Sequence, residues 1–200
     1  SGISEIDGIK ATTYDFSKVS ESEIFALDLS VEQAQKDAIL KAKNSHNSVG
    51  GVALINVKNA PIGLGEPLYF KLDSQIANAM MSINAVKAIE IGDGILASKV
   101  KGYDNNDQIR KDGFKTNHSG GILGGISNGD DINVKVYFKA TPSIFIEQET
   151  IDIHNDEVNC QLKGRHDPCV AVRGSVVAES MMALVLADMV LLNMSSKMEN

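Results

Sequence analysis

The order of apolar and polar residues divides the chain into short runs of two different periods. Ile132, Val134, Val136 and Phe138 alternate with Asn133, Lys135, Tyr137 and Lys139. That two-residue period predicts a strand with one buried face. Val52 to Val57, entered from Gly50-Gly51, and Val86 to Ile91, stopped by Gly92-Asp93-Gly94, predict two more strands. Helical spacing marks other segments. Leu72, Ile76, Ala79, Met80 and Ile83 share one face of a helix from Lys71 to Ile83. Ala34, Ala38, Ile39 and Ala42 predict a helix from Val31 to about Ala42, opened by a capping box of Ser30 and Gln33. The first ~25 residues lack a clear period and predict a strand and loops.

Turn chemistry separates these runs. Pro61, Gly63, Gly65 and Pro67 mark a loop, and Asp104 to Asp107 is a polar loop. Ser127-Asn128-Gly129-Asp130 predicts a tight type I′ hairpin, and His154-Asn155-Asp156 a second hairpin. Val176 to Met194 is apolar on nearly every side and long enough to raise the question of a membrane span. Glu179, Ser180, Asp188 and Asn193 interrupt it, so the expectation is a core helix covered by protein all round, with sheets on two sides. Helices mixed with antiparallel hairpins predict an α+β fold. The sequence shows no repeat, low-complexity tract or interdomain linker.

Composition narrows the class. The 200 residues are 43% hydrophobic and 22% charged, ordinary for a soluble domain or half of a larger one. A net charge of −7 argues against nucleic-acid binding, which needs a basic face, but not against a small anionic ligand. Cys160 and Cys169 form neither a disulfide framework nor a metal-ligand spacing, and a reducing cytoplasm is the expected compartment. His46, His118, His154 and His166 lack zinc spacing, and His46 and His154 are expected at the surface. Met80-Met81 and Met181-Met182 read as core filler. The chain opens at Ser1-Gly2-Ile3 without Met or a signal region, and is expected to be a fragment.

Three runs could carry chemistry. In Gly164-Arg165-His166-Asp167-Pro168-Cys169, an extended backbone would put Arg165 and Asp167 on one side, able to hold an anion and exchange a proton beside it. A structural Arg-Asp pair at a loop is the commoner reason for such a run. In Thr116 to Gly125, glycines allow backbone to approach a flat ligand, although a bent strand leading to a hairpin would look the same. Neither a phosphate loop nor a dinucleotide fingerprint is present. In Lys139-Ala140-Thr141-Pro142-Ser143, one cation and two hydroxyls could bind a phosphate, or simply end a solvated strand. Asp93, between two glycines, suits a turn better than a catalytic acid.

From about Val31 to Leu192 the sequence resembles chorismate synthase. The matching phrases, in that family's order, are Ser48-Val49-Gly50-Gly51, Gly63-Leu64-Gly65-Glu66-Pro67, Asn84-Ala85-Val86-Lys87, Glu90-Ile91-Gly92-Asp93-Gly94, Gly120 to Gly129, and Gly164 to Cys169. The last two are highly specific. The resemblance implies a β-α-β sandwich with helices packed between antiparallel sheets, assembled as a homotetramer. It implies a lyase that converts enolpyruvylshikimate phosphate to chorismate by trans elimination of phosphate, the last common step of the shikimate pathway leading to aromatic amino acids. Reduced FMN is the implied cofactor.

The same resemblance implies roles for matching residues. Asn84, Ala85 and Gly124 would lie against the flavin. Lys139, Ala140, Thr141, Pro142 and Ser143 would hold its phosphate or ribityl chain, Arg165 would bind near flavin and substrate, and Asp167 would assist proton handling. Ala140 departs from the Pro frequent in the family, and Val170 to Gly174 varies while keeping Arg173. The family's N-terminal half, with its Gly-Glu-Ser-His-Gly-like segment, a second important histidine and several substrate arginines, has no counterpart in this sequence. Its two catalytic histidines do not map onto His118 or His166. The chain, 1–200, is therefore expected to be a C-terminal portion with an incomplete site and no turnover alone. Some family members reduce their flavin with NADPH, but no inserted segment suggests it, so an external reductant is expected. The alternatives are a non-catalytic fragment competent in folding and oligomer assembly, and a flavin-dependent oxidoreductase, which would need a nicotinamide site.

Overall fold

A computed structural model describes residues 1–196; residues 197–200, the end of the expected unit, lie outside the described residues. In chain order the elements are β1 (Gly2–Ile6), β2 (Ile9–Lys10), α1 (Leu29–Asn44), β3 (Gly51–Val57), α2 (Leu72–Met81), β4 (Val86–Ile91), α3 (Gly102–Asn105), β5 (Ile109–Arg110), β6 (Gly113–Phe114), β7 (Ile122–Leu123), β8 (Ile126–Ser127), β9 (Ile132–Phe138), β10 (Gln148–Ile151), β11 (Glu157–Cys160) and α4 (Ala171–Ser196). Five strands form one antiparallel sheet in the order β2-β1-β3-β9-β4. Three two-stranded ladders, β5-β6, β7-β8 and β10-β11, stand apart from it. Mixed helix and antiparallel sheet make the class α+β, as the order of elements predicts.

The alternation in β9 governs the core. Ile132, Val134 and Val136 are fully buried and Phe138 nearly so, all on one face. The opposite face carries Asn133, bonded by the Asn56 amide at 2.8 Å, and Lys135, 3.8 Å from Glu90. α2 and α4 pack on the apolar face. Their contact is close because small residues meet there: a Cβ on Gly174 would lie 2.5 Å from the Phe138 ring, and one on Gly51 would lie 2.8 Å from Ala171 Cβ. α2 buries Leu72, Ile76 and Met80 as its spacing predicts.

α4 buries Ala171, Gly174, Ser175, Ala178, Met182 and Met189 against the rest of the chain. These positions form a single stripe, so the expected coverage on all sides is met on one side only. Val176, Val177, Leu184 and Leu191 are exposed. An all-apolar helix needs cover all round, and the five strands of this chain reach one face. By length and composition alone, α4 is apolar enough to cross a membrane.

Two local expectations are corrected. The first helix begins at Leu29, and its cap is Asp28 rather than Ser30. Asp28 Oδ1 accepts from the Ser30 N–H (3.0 Å) and hydroxyl (2.6 Å), and Oδ2 accepts from the Thr12 N–H (2.8 Å) and hydroxyl (2.7 Å). A carboxylate with two oxygens serves two segments at once, which a Ser hydroxyl cannot. Ala34 is exposed, and the inward position is Gln35, whose amide donates to Ile9 O at 3.0 Å. The type I′ turn is also elsewhere. Gly124 (φ +61°) and Gly125 (φ +87°) join β7 to β8, whereas Asn128-Gly129 leads from β8 into β9, which are unpaired. A type I′ turn needs positive φ at both central residues. The Gly-Gly pair supplies it without strain, and Asn128 does not adopt it. The second expected hairpin, around His154 to Asp156, joins β10 to β11.

Asp28 makes a pH prediction. The Ser30 hydroxyl first, then the Thr12 hydroxyl and N–H, hold its carboxyl well below the usual carboxylate range. A depressed folded-state pKa gives stability that is present above the unfolded value of about 3.9 and lost as pH falls. Asp28→Asn is therefore expected to melt at a lower temperature than wild type at neutral pH, with the gap narrowing below about pH 4. Circular-dichroism melts across that range measure it; a gap constant with pH would contradict this role.

Candidate functional site

The residues singled out near the end of β9 do come together. Phe138 pairs with Gly51 on one side and Val86 on the other. The next N–H, of Lys139, donates to Ala85 O at 2.9 Å, which sets Asn84-Ala85 beside the start of the 139–143 segment. Ala85 has φ +71°, so the chain turns sharply from α2 into β4 at this point. Lys139, Ala140 and Pro142 are exposed, and Thr141 and Ser143 are half-buried. Lys139 makes no ion pair, and the Thr141 and Ser143 hydroxyls donate no hydrogen bond, among the described residues. One free cation and two free hydroxyls on a single strand end fit a phosphoryl group.

Two further segments are tied to this one. The Ser48 hydroxyl donates to Thr141 O at 2.6 Å, and the Phe145 N–H to His46 O at 3.2 Å. The Val49 N–H donates to Pro168 O at 2.8 Å. Phe145 lies edge-on between two imidazoles, 5.9 Å from His46 and 5.2 Å from His166. Residues 46–48, 143–145 and 166–168 thus border a shallow cleft with Ser143, His166 and Asp167 in its wall. His46 is exposed as expected, but its ring serves this packing.

The Gly164 to Cys169 run does not form the Arg165–Asp167 pair that its sequence suggests. Asp167 pairs with Arg173, in the first turn of α4, and not with Arg165. Arg165 is exposed and makes no ion pair among the described residues. The helix starts at Ala171, and its first turn carries Arg173 back over Asp167. Cys169 is buried just before the start of α4. Burial pushes its thiol pKa up, which keeps it unreactive.

Gly124 stands away from this cluster. The Leu72 N–H donates to Gly125 O at 2.8 Å, fixing the β7-β8 turn to the start of α2. Asn84 follows the other end of α2, so about 15 Å of helix separates the two. A Cβ on Gly124 would meet nothing within 4 Å, so its face is open.

One constellation escaped the sequence reading. His118 Nδ1 lies 2.6 Å from Asp93 Oδ2. Asp107 accepts the N–H groups of His118 (2.7 Å) and Ser119 (2.9 Å) and the Thr116 hydroxyl (2.7 Å). These bonds hold the Asp107 carboxyl below its ordinary pKa even though burial acts the other way. Asp93 sits in a turn as expected. Its partner is 25 residues away, and the only hint was that both runs are rich in glycine.

With the geometry in place, comparison with known proteins is specific. Residues 1–191 match the family model described as chorismate synthase. The whole chain is 86% identical to a chorismate synthase of Aliarcobacter butzleri, of which it covers 56%. It is 63% identical to one from Sulfurimonas denitrificans over 99% of the chain and 55% of that protein. A crystal structure of chorismate synthase superposes with a TM-score of 0.77 at 29% identity, over 96% of this chain and 56% of the other. The chain thus spans about half the length of the relatives it matches.

Proposed function

This chain belongs to the chorismate synthase family, and from that premise we propose that it is the C-terminal portion of a lyase that eliminates phosphate from enolpyruvylshikimate phosphate to form chorismate. The observation that carries the reading is the run of contacts from 84–85 to Lys139 at the end of β9, and from Ser143, four residues on, to His166 and Asp167 across the cleft. The residues present fit FMN at its phosphate end. Lys139 would pair with the phosphate, and the Thr141 and Ser143 hydroxyls would donate to it, with Ala140 and Pro142 carrying the backbone past it. Asn84 and Ala85 would run along the flavin, and Gly124 would offer an open backbone face at the far end of α2. Arg165, unpaired among the described residues, would bind the flavin or substrate anion with its fixed fork. Asp167 would take or relay a proton beside the flavin. Reduced FMN, when bound, would supply transient electron density for the elimination, with no net redox change.

The site is incomplete in this chain. Substrate and FMN together bring several negative charges, and the net charge is −7. The remaining cations would come from the rest of the longer protein, which would also cover the exposed face of α4. The full protein is proposed to be a cytoplasmic homotetramer supplied with reduced flavin by an external reductant. The exposed apolar residues of α4 favour a second reading, in which this chain is a folding and assembly unit without catalytic competence.

FMN titration by flavin fluorescence, under reducing conditions and with substrate present, separates the two. We expect no saturable binding and no turnover by the 200-residue chain, and both in the protein restored to the length of its relatives. A restored protein that binds neither FMN nor substrate would leave the assembly reading in place. Chorismate formation by the chain alone would contradict the incomplete site.

A further inference from the structure

We propose that Arg173 is a positioning residue for the lyase reaction: it orients the Asp167 carboxylate toward the cleft rather than binding substrate or cofactor itself. This inference rests on the lyase reading above. Asp167 lies in the wall of the cleft shared with Ser143 and His166, and one of its oxygens is engaged by the Arg173 guanidinium. No other side chain among the described residues bonds that carboxylate. Arg165, the cation that the sequence places nearest, is exposed and makes no ion pair with Asp167. The adjacent backbone is already fixed, because Pro168 O accepts the Val49 N–H at 2.8 Å and Cys169 is buried in the core.

What remains free at Asp167 is the side-chain torsion, and Arg173 is what restrains it. Arg173 is anchored on the rigid first turn of α4, where Gly174 packs on the Phe138 ring and its N–H bonds Val170 O at 2.8 Å. Its direction is therefore set by the core. The pair is a poor source of stability, because the Arg173 side chain is 66% exposed and exposed ion pairs contribute little. Its value is geometric. One carboxylate oxygen is held and the other has no hydrogen-bond partner among the described residues, and misplacing a reacting group by an ångström can slow a reaction by about 10²-fold.

The test uses the full-length protein with Arg173→Ala, Arg173→Lys, Asp167→Asn and the double variant R173A/D167N. Arg173→Ala is expected to lower kcat by about 10- to 100-fold while KM, FMN affinity and melting temperature change little. Arg173→Lys keeps the charge without the planar fork and is expected to recover part of the loss. The double variant is expected to be no slower than Asp167→Asn alone, because both changes remove one device. Losses that multiply in the double variant would overturn the proposal. So would a rise in KM or FMN dissociation constant at unchanged kcat, which would make Arg173 an anion ligand. A wild-type protein without turnover would sink the lyase reading itself, whereas an active wild type with independent losses would sink only the role of Arg173.

Discussion

Replacing Asp167 by Asn in the full-length protein is expected to slow the proposed elimination to chorismate by about 10²- to 10⁴-fold, the range of a lost general acid-base group. Asn keeps the shape and can still accept a hydrogen bond from Arg173, but it cannot take a proton at neutral pH. The backbone around it is held by bonds that do not involve the side chain, namely Val49 N–H to Pro168 O and Gly174 N–H to Val170 O, both 2.8 Å. The fold should therefore tolerate the change. FMN affinity is expected to stay within about threefold of wild type, because the donors proposed for its phosphate end lie on 139–143 and are untouched. Steady-state turnover with reduced FMN, set beside fluorescence titration of FMN, measures both quantities. Normal turnover would remove Asp167 from the mechanism. A parallel loss of FMN binding would make it a cofactor ligand instead.

Gly92→Ala is expected to be strongly destabilising. Gly92 has φ +58°, a conformation that costs an L residue about 1–2 kcal/mol. A Cβ there would also lie 2.1 Å from His118 O and 2.5 Å from Gly120 N. These are backbone atoms, pinned by the Gly92 N–H to Asn133 O (2.9 Å) and the Asp93 N–H to His118 O (2.8 Å). They cannot rotate aside, so overpacking adds about 1–3 kcal/mol. A total near 3 kcal/mol would shift the urea midpoint by about 1–2 M. Gly124→Ala is the control. Its φ is +61°, but a Cβ meets nothing within 4 Å, so only the conformational cost of about 1–2 kcal/mol applies. Equal midpoints for the two variants would mean that the turn after β4 and the glycine run do not approach as closely as the structure has them. The same contact supports the Asp93–His118 pair, so Gly92→Ala should also loosen it.

What the sequence determined by itself was whatever depends on near neighbours. The alternation from Ile132 to Phe138 specified a strand and its buried face, because side chains two apart on a strand always share a side. The spacing of Leu72, Ile76 and Met80 specified α2 for the corresponding helical reason. The ordered phrases, above all Gly120 to Gly129 and Gly164 to Cys169, were enough to identify the family, since so many residues in one order do not arise from secondary structure alone.

Tertiary structure decided the pairings. Asp28 displaced Ser30 as the cap because Thr12, far away along the chain, brings it two more donors. The type I′ turn fell on Gly124-Gly125 rather than Asn128-Gly129 because β9 pairs with β3 and β4, leaving β8 to pair with β7. Asp167 took Arg173 instead of Arg165 because a helix starts between Asp167 and Arg173 and turns the latter back. Asp93 met His118 only because the turn after β4 touches the glycine run. Gly124 was parted from Asn84 by the length of α2. In each case the partner is chosen by how the chain reverses and which strands lie side by side. Those choices are made by the burial of the whole core, and no local period carries them.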